Sequence, residues 1–280
     1  MLKTLSLTLK LMVMLALAFV FILPIAWMAL GSFRPHEEIF KFANVLEWRT
    51  LFPVEWTLQN YADLFFDTAE PFSRFIGNTL AVAATVTIFA LFFNSLAAFA
   101  FAKMNFRFKR ILFVFFISAL VIPGEVTLVP TYLLMRNFGW INTYAALIVP
   151  SVISVFAVFL LVQFFSEIPR ALLEAARIDG ASWLRVYQSI VLPAAAPALV
   201  TLAIITFLGQ WDSYLWPLVV ISDQSKQMLQ VAIASFTNME MTEWGRILAA
   251  DTVSSIPILL LFAFLQKYYV QGITMSGVKG

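Results

Sequence analysis

Six long apolar stretches constrain the fold of this chain more than any other feature of its sequence. They lie at about residues 11–30, 76–102, 111–132, 144–165, 195–220 and 249–269. A helix of about 20 apolar residues is long enough to cross roughly 30 Å of hydrocarbon. Apolar runs in lipid must be helical, because lipid offers no hydrogen-bond partner to an unpaired backbone group. The sequence therefore predicts an all-α, polytopic membrane protein with six transmembrane helices.

Composition excludes several classes of soluble protein. Hydrophobic residues make up 61% of the 280 residues and charged residues 12%, with a mean hydropathy of +0.88. A soluble fold carries about 25% charged residues. A net charge of +2 is too balanced for a nucleic-acid-binding surface. We therefore expect no nucleic acid partner. The chain has no cysteine and a single histidine, His36, so we also expect no catalytic residues and no metal site.

The basic residues favour an orientation with both termini in the cytoplasm. Six spans place the two termini on one side, and four basic residues cluster at 103–110, against the ends of two predicted spans. Positive charge beside span ends is retained on the cytoplasmic side. The first run follows Lys3 and Lys10 as a signal peptide would, but it exceeds the usual apolar core of about 7–15 residues. We therefore expect one transmembrane domain over residues 1–280, with N-in, C-in topology.

A polar segment, 166–193, separates the predicted fourth and fifth spans. Pro169 suits the first turn of a helix, where its missing N–H is no loss, and good helix formers follow it. Gly180 is a typical left-handed terminator. Ser182 can cap a second short helix, and Pro193 is expected to end it. The segment is therefore predicted to form a helix–turn–helix on the cytoplasmic face.

The first of these helices is predicted to place Leu172, Leu173 and Ala176 on one side and Glu174 with Arg177 on another. Composition alone fits an amphipathic connector that lies on lipid headgroups. The spacing favours a different interpretation. Glu-Ala-Ala is followed after three residues by Gly, and after nine more by Ile-x-Leu-Pro, which is the EAA signature of ABC importer permeases. The matching positions are Glu174, Ala175, Ala176, Gly180, Ile190, Leu192 and Pro193.

On these residues the chain resembles the shorter permease of carbohydrate ABC importers, the maltose-type second permease with its relatives for glycerol phosphate and trehalose. Stretches at 78–80, 123–126 and 211–217 extend the resemblance over nearly the whole chain. The resemblance implies the permease fold, with a coupling helix seated in a groove of an ATPase. It assigns that coupling role to the signature positions and to Asp179. It also implies that Gly180 makes a bend which no side chain may crowd.

The resemblance further implies partners and a place of action. The partners are a second, homologous permease, a dimer of ABC ATPases, an extracytoplasmic solute-binding protein, a sugar and membrane lipid. The place is a bacterial or archaeal cell membrane. The chain has no Gly-Lys pair and hence no Walker A loop, so ATP is expected on the ATPase subunits, with no cofactor and no enzyme activity here. The implied function is half of an alternating-access pathway for a sugar or polyol.

Polar residues within the predicted spans are candidates for the substrate pathway, because such groups are costly in lipid. The Pro123-Gly124 pair predicts a kink just before one of them. Trp211, Asp212 and Tyr214 resemble a sugar-contacting set, although aromatic residues at a span end are also typical of the membrane interface. The full set is Glu125, Trp211, Asp212, Tyr214 and Asn94, with Asp251 as a further ionisable group.

Several alternatives stay open at this point. An ion-coupled secondary transporter would carry its ion past Glu125 or Asp212, and a structural anchor would leave the EAA spacing unexplained. A glycerol-phosphate-type permease is less favoured than one for an uncharged sugar, since no Lys or Arg lies well inside a predicted span. The loop at 32–75 either docks the solute-binding protein or packs over the outer surface, with His36 as an exposed polar residue.

Overall fold

The computed structural model describes residues 2–42, 47–66, 71–237 and 242–276, with side chains between residues 8 and 264 of those ranges. All the regular elements in these ranges are helical, which confirms the all-α prediction for them. The α-helices are α1 (Leu2–Gly31), α2 (Trp48–Leu51), α3 (Gln59–Phe66), α4 (Phe72–Lys103), α5 (Lys109–Ser118), α6 (Gly124–Asn137), α7 (Tyr144–Val152), α8 (Val155–Glu167), α9 (Arg170–Ile178), α10 (Trp183–Val186), α11 (Leu192–Ala194), α12 (Ala196–Trp211), α13 (Leu215–Val220), α14 (Leu229–Ser235) and α15 (Trp244–Ser276).

Four of the described helical segments are long and apolar enough to cross a membrane: Thr8–Gly31, Phe72–Lys103, Tyr144–Glu167 and Trp244–Phe264. Two bent helix pairs pass the same test together, Lys109–Val121 with Gly124–Asn137 and Trp183–Ala194 with Ala196–Trp211. The described chain therefore has four spans, or six if each bent pair counts as one. These segments overlap the predicted runs, and the number six and the N-in, C-in topology stay predictions.

The third apolar run bends where the sequence predicts a kink. The two helical segments of this run meet at 104°. Pro123 stands in extended conformation (φ −60°, ψ 140°) immediately before α6, and a residue that precedes proline is itself biased away from the helix. The bend places Glu125 in the first turn of α6.

The fifth apolar run, predicted as one helix over 195–220, is instead divided in two. Helix α12 ends at Trp211, and the short helix α13 begins at Leu215. Pro217 lies in the first turn of α13, the part of a helix in which a missing N–H leaves no hydrogen bond unmade. The prediction of one continuous helix was wrong because Pro217 favours a new helix start.

The fourth run is interrupted between α7 and α8, and a side chain from α4 bridges the interruption. The Asn94 amide donates to the Val152 carbonyl (2.8 Å) and to the Ala90 carbonyl of its own helix (2.7 Å). Its Oδ1 accepts from the backbone N–H of Ser154 at 3.0 Å. Backbone groups freed by a break in an apolar run need such partners. Asn94 is fully buried and supplies them.

The contacts of the chain divide it into two compact units, Met1–Arg74 with Ala232–Pro257, and Phe75–Val231 with Ile258–Gly280. In the first unit, the guanidinium of Arg34 is buried and donates to two carbonyls of α2, at 2.8 and 2.9 Å. The Glu38 carboxylate accepts two backbone N–H groups from the segment between α2 and α3, at 2.7 and 3.0 Å. The described part of 32–75 is therefore folded, residues 43–46 and 67–70 lie outside the described residues, and His36 is exposed as expected.

The main core of the second unit lies where α4, α8, α12 and the segment between α8 and α12 meet. Its buried residues are Ala98, Phe99, Ala157, Val158, Leu161, Val162, Phe165, Ile168, Leu173, Val186, Tyr187, Val191, Ala195, Ala198 and Leu202. The core therefore includes residues of the polar segment 166–193 itself. That segment is packed into the helical body rather than attached to it by two flexible ends.

Candidate functional site

Residues 166–193, which we call the elbow, form two helical limbs joined at a glycine. The first limb is α9, which begins immediately after Pro169. The chain then turns at Gly180, whose φ is +83°. The second limb begins at Ser182, whose hydroxyl accepts the backbone N–H of Arg185 at 3.2 Å. The predicted helix–turn–helix is confirmed.

The requirement for glycine at position 180 comes from the backbone. A φ of +83° is a left-handed conformation that residues with a Cβ rarely adopt. A Cβ at this position would have no neighbouring atom of the described chain within 4 Å. Within this chain Gly180 is therefore needed for its conformation and not for lack of space.

The side chain of Arg177 stabilises the turn, although the sequence predicts only that it lies on the charged side of the helix. Nη1 of Arg177 donates to the carbonyl of Ala181 at 2.7 Å. The Arg177 guanidinium also lies over the ring of Trp183, 5.0 Å from its centroid. A cation over an indole ring contributes about 0.5–1 kcal/mol at an exposed site. Arg177 therefore links the first limb to the start of the second.

The second limb extends further than the sequence indicates. Helix α10 passes into a π-helix, Tyr187–Val191, which leads into α11. The limb ends at Ala194 with a bend of 80° before α12. The second limb therefore ends one residue after Pro193, close to the position that the sequence predicts.

The first limb packs on the core through few residues. Leu173 is 4% exposed and Ala176 packs partly against the core, whereas Leu172 is 54% exposed and Ile178 is 86% exposed. Leu172, predicted on the same side of the helix as Leu173 and Ala176, lies outside the contact with the core, because α9 contacts the core along a narrow line. The exposed surface of α9 thus combines apolar side chains with the carboxylate of Glu174.

The signature positions separate into two groups by burial. Glu174, Ala175, Asp179, Gly180 and Pro193 are exposed. Ala176, Ile190 and Leu192 pack against the core of the second unit. A cavity of about 370 Å³ lies between the two limbs. Its lining is Ala176, Asp179, Gly180, Ala181, Arg185, Val186, Ser189 and Ile190.

The second limb is anchored to α4. The hydroxyls of Tyr187 and Ser95 are 2.7 Å apart and form a buried hydrogen bond. The ring of Phe99 lies 5.4 Å from the ring of Tyr187 and 6.3 Å from that of Trp183. These anchoring residues were missed by the sequence analysis. Their four-residue spacing on α4 is a detectable signal for a shared helix face, but it does not identify what that face contacts.

The candidate pathway residues have different environments. Trp211 is fully buried with its ring stacked on Phe207 at 5.8 Å, and Asp212 and Tyr214 follow it as exposed residues in the break between α12 and α13. Glu125 is exposed in the first turn of α6. Asn94 is buried and bridges the break in the fourth run. Trp211, Asp212 and Tyr214 thus lie together at the break between α12 and α13, whereas Asn94 lies elsewhere. Asp251 is half-buried in α15, within the first unit.

Comparison with known proteins identifies the class of this chain. The model of the family "Binding-protein-dependent transport system inner membrane component" matches residues 90–275. The arabinooligosaccharides transport system permease protein AraQ of Halalkalibacterium halodurans is 31% identical over 93% of this chain and 92% of its own length. The trehalose/maltose transport system permease protein MalG of Thermococcus litoralis is also 31% identical, over 93% and 92%. A crystal structure of a bacterial ABC transporter involved in the import of the acidic polysaccharide alginate is similar in fold, with a TM-score of 0.83 at 20% identity over 95% of this chain and 97% of that one.

Proposed function

The chain belongs to the family of binding-protein-dependent transport system inner membrane components, and from that premise we propose that it is a permease subunit of an ATP-driven importer, which forms half of the pathway for a sugar. It works with a second permease, a dimer of ABC ATPases and an extracytoplasmic solute-binding protein. The chain is a multi-pass membrane protein with no enzyme activity of its own. ATP is bound and hydrolysed by the ATPase subunits.

The single observation that carries this proposal is the exposed surface of α9. A helix of nine residues that exposes Leu172 at 54% and Ile178 at 86% beside Glu174 offers apolar area and one carboxylate to a partner. Exposed apolar side chains next to polar ones are typical of a protein interface. The elbow seats in a groove of the ATPase, and closure of the ATPases around ATP moves it and thereby the spans. Alternating access then follows from that movement.

The substrate class is a neutral sugar or polyol. Relatives at 31% identity are named for arabinooligosaccharides and for trehalose and maltose. The predicted spans hold no Lys or Arg well inside them, so this subunit has no cation there to neutralise a phosphate. The lack of such a cation favours a neutral sugar over a glycerol phosphate as the substrate.

We assign the pathway to the exposed members of the candidate set. Asp212 and Tyr214 offer a carboxylate and a phenol at the break after α12, and Glu125 offers a carboxylate at the bend before α6. Trp211 acts by packing beneath that break, since its ring is fully buried. Asn94 acts by holding the backbone at the broken fourth run, because all its amide atoms are engaged there.

The test is sugar uptake by the assembled importer in proteoliposomes, with ATP inside and a panel of sugar-loaded binding proteins outside. Wild-type importer is expected to take up at least one neutral sugar only when ATP is present. The charge reversal Glu174→Lys is expected to keep assembly and lower uptake per ATP hydrolysed by about tenfold, because a single interfacial contact contributes about 1–2 kcal/mol. Arg110→Glu, an exposed charge reversal outside the elbow, is the matched control.

Two outcomes would contradict the proposal. One is uptake by the chain alone, driven by an ion gradient without ATPase subunits, since that is the behaviour of a secondary transporter. The other concerns orientation. The chain has no cysteine, so a single cysteine at Ser182 reports cleanly on its side of the membrane. Labelling of Ser182→Cys by an impermeant reagent from the outside would place the elbow where no ATPase can reach it.

A further inference from the structure

The side chain of Lys103 is buried against the point where the elbow begins. Lys103 is the last residue of α4, and its side chain is 7% exposed overall. Its Nζ donates to the carbonyls of Ser166 at 3.2 Å and Ile168 at 2.5 Å. No carboxylate of the described residues lies within ion-pair distance of this ammonium, so the two carbonyls are its partners.

Both carbonyls need an outside donor because of where α8 ends. In a continuing helix, the carbonyl of Ser166 would accept the N–H four residues later, but the chain leaves the helix at Ile168 and Pro169. The last carbonyls of a helix also carry its negative dipole end, which attracts a cation. Lys103 therefore meets two unpaired acceptors with one buried positive charge. An ammonium in this position holds the entrance to the elbow in one place.

Lys103 completes a row along one face of α4. Ser95, Phe99 and Lys103 are spaced four residues apart, which places them one above another on a helix. Ser95 and Phe99 hold the second limb through Tyr187, whereas Lys103 holds the entrance to the first. One helix thus holds the elbow at its entrance and along its second limb.

We propose that Lys103 is a positioning residue for coupling: it ties the entrance of the elbow to α4, so that the elbow and α4 move as one body. This rests on the proposed function, in which the elbow receives the movement of an ATPase. Without the ammonium, the entrance at Ile168 is released. Displacement of α9 is then absorbed by bending at Pro169 and does not reach the end of α4 at residues 100–103, while the second limb still contacts α4 through Ser95 and Phe99.

The test compares Lys103→Met with Lys103→Arg in the complete importer in nanodiscs. Arg110→Met is the matched control, because it removes an exposed positive charge near the same helix end. Hydrogen exchange measures the amides of residues 170–181 and of α4, with and without a non-hydrolysable ATP analogue, and ATP hydrolysis is followed in parallel. Lys103→Met is expected to speed exchange at 170–181 by about tenfold, since a lost buried hydrogen bond lowers local opening free energies. ATP hydrolysis is expected to continue, and the nucleotide-dependent change in exchange at residues 100–103 of α4 is expected to disappear.

Lys103→Arg keeps a cationic donor and is expected to restore both exchange readouts, and Arg110→Met is expected to match the wild type. The proposal is overturned if Lys103→Met leaves exchange at 170–181 unchanged or retains the nucleotide-dependent change at residues 100–103, if Arg110→Met loses that change equally, or if Lys103→Arg fails to restore it. If Lys103→Met does not assemble, Lys103→Gln, which removes the charge but keeps a neutral donor, is expected to change both readouts in the same direction by less, and exchange equal to the wild type in both overturns the proposal. Exchange at 170–181 without nucleotide requires neither ATPase nor substrate, so a failure of the proposed function is distinguishable from a failure of this inference.

Discussion

Substitution of Gly180 separates two physical reasons for a glycine at the turn of the elbow. If backbone conformation decides, asparagine is the best replacement, because it adopts the left-handed region more readily than other residues with a side chain. If space against a partner decides, alanine is the best replacement, because its side chain is the smallest. The two reasons therefore predict opposite orders for Gly180→Asn and Gly180→Ala.

The structure gives the expected size of the effect. At φ +83° with no atom of the described chain within 4 Å of a Cβ, a side chain meets backbone strain and no clash. The left-handed conformation costs most residues about 1–2 kcal/mol, and asparagine less. The turn is closed by the N–H groups of Asp179, Gly180 and Ala181, which donate to carbonyls of α9 at 3.0, 3.1 and 2.9 Å. Because about 1.4 kcal/mol corresponds to a factor of ten, Gly180→Ala is expected to open this turn about tenfold more often.

The assay is hydrogen exchange at residues 179–181, together with uptake per ATP hydrolysed by the reconstituted importer. Exchange and uncoupling are expected to increase in the order Asn, Ala, Val, because β-branching adds to the strain. An order in which Gly180→Ala is milder than Gly180→Asn would refute the conformational reasoning. It would locate the constraint in the partner that faces the turn.

Three further predictions concern other parts of the chain. Gly245→Ala is expected to lower the melting temperature by several degrees, since its Cβ would lie 2.3 Å from the Asn60 amide oxygen, and overpacking costs about 1–3 kcal/mol. Gly77→Ala is the control: a Cβ there would have no atom of the described residues within 4 Å, and the substitution is expected to be neutral or stabilising. Asn94→Leu is expected to destabilise the protein in a thermal unfolding assay by about 1–3 kcal/mol for each backbone group that it leaves unpaired. Hydrogen bonds from Ser225, and then from Lys226, hold the pKa of Asp223 below its ordinary value. Asp223 therefore stabilises the fold at pH values above its ordinary pKa, and the difference in stability between the wild type and Asp223→Asn is expected to vanish as the pH falls through the lowered pKa.

Local sequence signals predicted those parts of the site that depend on neighbouring residues. Gly180 and Ser182 each act within one turn of the chain and have the predicted roles, and Pro169 lies at the N-cap, one residue before the predicted first turn. The apolar runs likewise located the helices, since hydropathy is a property of a window of sequence. The second limb ends within one residue of Pro193, as predicted, but its π-helix was not predicted.

Contacts between distant segments were not predictable from the same signals. Lys103 was interpreted from its charge as a marker of orientation, and its role at the end of α8 depends on a packing that brings residues 103 and 168 together. Leu172 was grouped with Leu173 and Ala176 on one side of the helix, since an amphipathic pattern gives a direction but not the width of a contact. In the structure the contact is narrow, and Leu172 lies outside it. Charge and periodicity in a single sequence therefore constrain which residues share a face, and tertiary packing decides what each face meets.

The broken fourth run and the elbow are held by the same ten residues of α4. Asn94 accepts the N–H of Ser154, where α8 begins, and Lys103 donates to Ser166 and Ile168, where α8 ends. Side chains of α4 therefore form hydrogen bonds with unpaired backbone groups at both ends of α8. Lipid could not supply these hydrogen bonds. A helix held at two points cannot slide along its partner without breaking several hydrogen bonds at once. For this reason α4 and α8 are expected to move together, and the interruption between α7 and α8 is where movement of this pair relative to α7 would be absorbed.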